Sequence, residues 1–213
     1  TLWNDLARLK NYDLVMMNCE GGTDGGNKSA EARQNIVDYA GVGGRLFLSH
    51  WQNIWIEDGP APFPSAADFN HQDDLKSPFT AKLETNFPKG MALAEWLVNV
   101  GGSAKLGEIV IKAGQNTVEA VNPDVSTRWI YGENPTSVQY FTFNAPIGAA
   151  EEAQCGRVVD TDIHVSSGDS AGQAFPAGCT TDELSPQEKA LIFMLFELSS
   201  CIIPDDMPPV IPG

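Results

Sequence analysis

Basic side chains are scarce in this chain. Thirteen Lys and Arg stand against 28 Asp and Glu, a formal net charge of −15 over 213 residues. That leaves no basic face for phosphates and excludes a nucleic-acid partner. No apolar run approaches the length needed to span a membrane. No leader pattern is visible, and the chain opens at Thr1, so any signal is expected to have been removed already. The four cysteines, Cys19, Cys155, Cys179 and Cys201, form no C-x-x-C pair, which excludes a zinc ribbon or thioredoxin-type site. Gly25-Gly26 and Gly101-Gly102 lack the G-x-G-x-x-G pattern, so no Rossmann cofactor is implied. Imidazole is limited to His50, His71 and His164.

What is present reads as one α/β domain. Its hydrophobic share of 42% and charged share of 19% are ordinary for a globular chain. Residues 3–10 place Trp3, Leu6 and Leu9 at helical spacing. The run Asp13-Leu14-Val15-Met16-Met17-Asn18 reads as a buried strand ending near Glu20-Gly21-Gly22. Residues 29–40 read as a helix stopped by Gly41 and Gly43, and residues 45–49 as the next strand. This strand–helix–strand unit signals a parallel sheet. A doubly wound sheet has a strand before the first helix, so an upstream segment is expected to be missing.

Residues 52–88 form a long Pro-, Asp-, Asn- and Phe-rich stretch with little periodicity, a length usually functional in a compact domain. A helix is expected at 89–100, then strands at 107–111, 117–121, 128–131, 138–143 and 156–164. Ser185-Pro186-Gln187-Glu188 is a capping box. Apolar residues surround the helix that follows, predicting deep burial. The domain is read as 1–203, with 204–213 a Pro-rich tail or linker.

The stretch Gly43-Gly44-Arg45-Leu46-Phe47-Leu48-Ser49-His50-Trp51 ends a strand on reactive side chains, where open α/β sheets bind ligands. Together with Glu20-Gly21-Gly22 and the later Gly156-Arg157-Val158-Val159-Asp160-Thr161-Asp162-Ile163-His164, it resembles the class I glutamine amidotransferase-like superfamily, most of all its trehalose-utilisation (ThuA-like) branch. The resemblance spans about residues 2–200, with a divergent middle third. It implies a flavodoxin-like three-layer sandwich with a mostly parallel, doubly wound sheet, here without its first strand. It places the nucleophile turn at Ser49-His50 and the family's histidine at His164. The family's cysteine is absent from that turn, and its glutamate position falls on Ser166, so glutaminase activity is not expected.

The cysteines allow buried thiols in a cytosolic protein or two disulfides in an exported one, and the second is the adopted expectation. In the implied topology Cys19 and Cys179 lie at the top of the sheet and Cys155 and Cys201 at the bottom, which favours Cys19–Cys179 and Cys155–Cys201.

Three readings cover the top edge. In a hydrolase, Ser49 attacks, His164 is the base, and Glu20 or Asp162 orients it. In a metal site, His50, His71 and His164 act with Glu20, Asp73 or Asp162. In the third, these groups hydrogen-bond one another and pin the long loop. Asp160, Asp162 and Asp169 with Ser166, Ser167 and Ser170 resemble a calcium loop without EF-hand spacing, so a solvated acidic loop is favoured. Trp51, Trp55, Phe63 and Phe69 suit a sugar or peptide cleft that Arg128, Trp129 and Tyr131 could also line, but a small core of the loop's own is favoured.

The leading expectation is an exported, extracellular or periplasmic, degenerate amidotransferase-like module that binds a carbohydrate or another protein domain or subunit. His50, Trp51, Trp55 and His71 would be its binding residues. The competing expectation is a hydrolase or metal-dependent enzyme, with zinc or calcium, acting on a carbohydrate or amide at Ser49, His50 and His164.

Overall fold

The computed structural model describes residues 1–23, 25–72, 75–165, 183–200 and 202–208. Its strands are β1 (Leu14–Met17), β2 (Arg45–Ser49), β3 (Ala67–Gln72), β4 (Phe79–Leu83), β5 (Glu108–Ile111), β6 (Asn116–Val121), β7 (Ser126–Glu133), β8 (Thr136–Ala145) and β9 (Gly156–Thr161). Its helices are α1 (Leu6–Leu9), α2 (Ala30–Gly41), α3 (Ile54–Glu57), α4 (Pro88–Asn99) and α5 (Pro186–Ser199). A seven-stranded sheet runs β1-β2-β9-β8-β7-β4-β5, and β3 and β6 form a separate antiparallel pair.

The α/β class holds, but the mostly parallel sheet does not. β1, β2 and β9 are parallel, whereas β8, β7, β4 and β5 continue the sheet antiparallel. Chain connectivity explains the split. α2 supplies the long crossover that parallel β1 and β2 need, while β7 and β8 are joined by two residues, a link that permits only an antiparallel hairpin.

Local chemistry sets most element ends. The Ser29 side chain accepts from Ala32 N–H at 3.2 Å and starts α2. Ser185 and Glu188 form the reciprocal capping box of α5. The helix expected over 3–10 is broken in two, because Asp5 is extended (φ −143°) and caps α1 through Arg8 N–H at 3.1 Å. The long polar stretch hides β3 and β4, whose short alternations are interrupted by polar residues. α5 buries Gln187, Ala190, Met194 and Leu198 on one stripe, but Phe196 is 71% exposed, so the helix is not enclosed all round.

Two cores sandwich the sheet. Ala32, Ile36, Leu46, Leu48, Trp55, Val118 and Val158 fill one face, towards α2, α3 and the β3–β6 pair. Phe47, Leu93, Leu97, Trp129, Val159 and Met194 fill the other, towards α4 and α5. Ile203 and Asp205 are tied to Lys89, so the start of the tail packs against the domain. No described helix is long and apolar enough to cross a membrane.

Asp160 sits in the middle of β9 at 1% exposure, and neither carboxylate oxygen has a hydrogen-bond partner among the described residues. Burial, then repulsion from Asp162, pushes its pKa well above the ordinary carboxylate value. The unfolded chain releases this proton above about pH 3.9, while the fold retains it, so stability falls as pH rises from there towards the folded value. Asp160→Asn is expected to raise the thermal midpoint by a few degrees at pH 8, roughly 2–4 °C per kcal/mol recovered. The gain should vanish near pH 3. A gain independent of pH would show that the buried carboxyl is not the cause.

Candidate active site

The register of the three parallel strands builds the site. Val15 pairs with Leu46 and Met17 with Leu48 across β1 and β2. Leu46 pairs with Val158 and Leu48 with Asp160 across β2 and β9. Side chains alternate with a period of two. Extending each row by two residues sets Cys19, His50 and Asp162 side by side beyond the strand ends, with His164 one step further. This is the carboxyl edge, where open α/β sheets gather ligands.

His50 makes the turn out of β2. It adopts φ +51°, a left-handed conformation uncommon for a side chain larger than glycine. Such backbone strain costs on the order of 1–3 kcal/mol and clusters at functional sites. The turn leads into a 3₁₀ segment (His50–Asn53), and the imidazole is 4% exposed.

Cys19 Sγ lies 3.4 Å from His50 Nδ1, and His164 Nε2 lies 3.1 Å from the same nitrogen. The ring centroids of His50 and His164 are 4.9 Å apart, edge to face. Three lone-pair-bearing atoms this close repel unless protons lie between them. A single imidazole N–H, shared between a thiolate and the second imidazole nitrogen, meets that requirement. Gly21 N–H also donates to Cys19 Sγ, at 3.4 Å. Burial alone would raise the thiol pKa, but hydrogen bonds from His164, then His50, then the backbone at Gly21 and Trp51 outweigh it and pull the pKa down to about 5. Cys19 is half-buried, so the sulfur combines low basicity with access, the condition for a reactive thiol.

The surroundings hold both histidines. His164 N–H donates to Ala113 O at 2.8 Å, and the His164 carbonyl accepts from buried Gln187 in the first turn of α5. Just past β9, the Asp162 carboxylate accepts from Thr117 N–H at 2.7 Å and Thr117 Oγ1 at 2.6 Å. Asn53 Nδ2 donates to the same Thr117 hydroxyl at 2.9 Å. Burial raises the Asp162 pKa, opposed by the Thr117 bonds and by the charge of His50.

Several expectations need correction here. Ser49 is the last residue of β2, and alternation puts it on the Phe47 face, away from His50. Its hydroxyl makes no hydrogen bond with the described residues, and it does not cap the 3₁₀ segment that follows. Glu20 does not orient His164, because it is bonded to buried Lys28 at 2.6 Å. Lys28 in turn lies over Trp3 and Trp55.

His71 is 51% exposed, bonded to Glu57 Oε1 at 2.7 Å. It stacks on Trp51 at 6.0 Å, while Trp51 packs against His50 at 4.5 Å, so the indole separates His71 from the cluster. Trp55, Phe63 and Trp129 are core residues, and of the aromatics predicted for a cleft Trp51 borders the site. Asp160, within β9, and Asp162, just past its end, are both fully buried, not on a solvated calcium loop. Asp73, Asp169, Ser166, Ser167 and Ser170 lie outside the described residues.

Cys19 and Cys155 are free thiols, so the two expected disulfides find no support; Cys179 and Cys201 lie outside the described residues. Cys19 is the functional candidate that sequence reasoning assigned elsewhere. Its parity with Val15 and Met17 carried the needed signal.

No family model matches the chain, and no curated protein matches it. Among solved structures it is similar to a cytoplasmic protein from Salmonella typhimurium, at 14% identity and a TM-score of 0.52, covering 92% of this chain and 75% of that one. A ThuA-like protein from Bacteroides uniformis is a neighbour at 10% identity and a TM-score of 0.46, covering 76% and 64%. The mmIFT52 N-terminal domain aligns at 8% identity and a TM-score of 0.46, covering 75% and 69%. At such identities the Salmonella likeness speaks for a shared fold alone.

Proposed function

We propose that this protein is a cysteine-dependent hydrolase or acyltransferase acting on an amide or ester, with Cys19 as nucleophile and His164 as general acid–base. The observation that carries this reading is the contact chain from Cys19 Sγ through His50 Nδ1 to His164 Nε2, at 3.4 and 3.1 Å, at the ends of adjacent parallel strands. A thiolate held by imidazole is the general form of an activated cysteine nucleophile. The ThuA-like resemblance implied a nucleophile on the turn after β2. In this reading His50 takes that turn and β1 brings the thiol to it.

The chemistry follows from the roles. The Cys19 thiolate attacks the substrate carbonyl carbon, a C–S bond forms, and the C–N or C–O bond to the leaving group breaks. Half-exposed His164 gives its proton to the leaving group. It then takes a proton from the water that cleaves the thioester. Buried His50 holds the thiolate and is the positioning residue. This reading is better supported than a non-catalytic binding module, because a module has no use for a thiolate flanked by two imidazoles. The argument for export rested on disulfides and loses that basis.

The test is covalent trapping in the presence of a chelator. An activated aryl ester should leave its acyl group on the Cys19 peptide, read by mass spectrometry. Iodoacetamide should label Cys19 at a rate nearly constant from pH 6 to 8 and falling below about pH 5, where the thiolate is lost. Labelling that climbs about tenfold per unit through pH 8, as for an ordinary thiol, would refute the reading.

A further inference from the structure

We propose that Cys19, His50 and His164 also form a zinc site, with three protein ligands and an open fourth position, and that the metal silences the thiol by occupying it. The inference rests on the positions of three atoms and stands whether or not Cys19 turns over a substrate.

The ligand atoms of the three residues all lie within 4.8 Å of one another. Zinc bonds of about 2.3 Å to sulfur and 2.0 Å to nitrogen at a tetrahedral angle require separations of roughly 3.5 Å for S···N and 3.3 Å for N···N. Cys19 Sγ to His50 Nδ1 is 3.4 Å, and His50 Nδ1 to His164 Nε2 is 3.1 Å. The cluster therefore accepts an ion with small side-chain adjustments.

The donor set also selects the metal. One thiolate and two imidazoles favour zinc and its borderline neighbours, whereas calcium needs six or more oxygens. This replaces the expected set of His50, His71, His164 and Asp162: Cys19 takes a ligand position, His71 is screened by Trp51, and both Asp162 oxygens are bonded to Thr117.

His50 faces the other two ligands through Nδ1. Binding through Nδ1 puts its proton on Nε2, a buried nitrogen with no hydrogen-bond partner among the described residues. The net charge of −15 raises the local concentration of cations around the chain. Three protein ligands with an open position is the arrangement of reactive, exchangeable zinc, distinct from closed structural sites.

Cobalt(II) reports on the site directly. Titrating the full, chelator-stripped chain with Co²⁺ should produce a thiolate-to-cobalt charge-transfer band and the intense visible bands of a tetrahedral ion, at one equivalent. Zn²⁺ should bleach both. Cys19→Ser should lose the charge-transfer band, and His164→Ala should bind at least about tenfold more weakly. Cys155→Ser, on an exposed thiol away from the cluster, should titrate like the parent. Should a site variant fail to fold, the parent chain alkylated at Cys19 serves instead and must give no band.

One equivalent of Zn²⁺ should also slow alkylation of Cys19 at least tenfold, with the rate restored by EDTA. Absence of the band in the parent chain, or its persistence in Cys19→Ser, overturns the zinc site. Fast Cys19 labelling without a cobalt band would leave the nucleophile reading standing and remove this one. A cobalt band without acyl trapping would do the reverse.

Discussion

Cys19→Ala is expected to abolish acyl transfer, with kcat falling at least about 10³-fold, while Ser49→Ala stays within about twofold of the parent. Removing a nucleophile leaves only binding and electrostatic stabilisation, which is why the loss is large. Ser49 lies on the opposite face of β2 by strand alternation, so its loss leaves the reacting atoms in place. His164→Ala should lower kcat by about 10²- to 10⁴-fold, the range of a general acid–base.

His50 is best tested as His50→Gly. Glycine adopts φ +51° without strain, so the turn survives while the imidazole is removed. The thiolate then loses a partner, and alkylation at pH 6 should slow. His71→Ala should change little, because Trp51 stands between that ring and the cluster. Full activity in Cys19→Ala, or its loss in Ser49→Ala, would return the serine reading.

Removing the Arg157 side chain is expected to destabilise the fold by about 3–5 kcal/mol, the cost of breaking a buried charge network. The thermal midpoint should fall by roughly 6–20 °C at 2–4 °C per kcal/mol. Arg157 lies on β9 at 1% exposure and bonds Asn144 Oδ1 at 2.8 Å and Asp205 Oδ1 at 2.8 Å. Lys89, also 1% exposed, shares Glu197 and Asp205 with it. Two cations and two carboxylates thus neutralise one another, and deleting Arg157 leaves an excess negative charge largely out of water.

The same network should weaken in acid. Burial would raise the Asp205 pKa, but Arg157, Thr127 and Lys89 together hold it below the ordinary value. A depressed carboxylate stabilises the fold above about pH 3.9 and loses that contribution as pH falls through the folded value. Urea unfolding of Arg157→Ala against the parent should show a gap that is full at pH 7 and narrows below pH 4. Equal stability at pH 7 would mean the network is decorative.

Local signals were legible where one segment suffices. The helical pattern with its stop at Gly41 and Gly43 placed α2, Ser185-Pro186-Gln187-Glu188 placed the start of α5, and the apolar run 45–49 placed β2. The edge carrying His50 and His164 also followed from these local elements. Strand direction across the rest of the sheet did not. β4 was hidden in a polar stretch, yet it pairs with β7, more than 40 residues away. A short alternation such as Phe79–Leu83 becomes a strand when a partner arrives, because its hydrogen bonds are non-local.

The cysteine shows the same division. Sequence by itself determined that Cys19 ends a strand at the carboxyl edge and that three histidines are available. That Cys19 meets a histidine was decided by the register of β1 on β2, where Met17 opposes Leu48. A shift of one residue would turn the thiol to the other face of the sheet. Register is set by packing on both faces at once, which no single stretch of sequence contains.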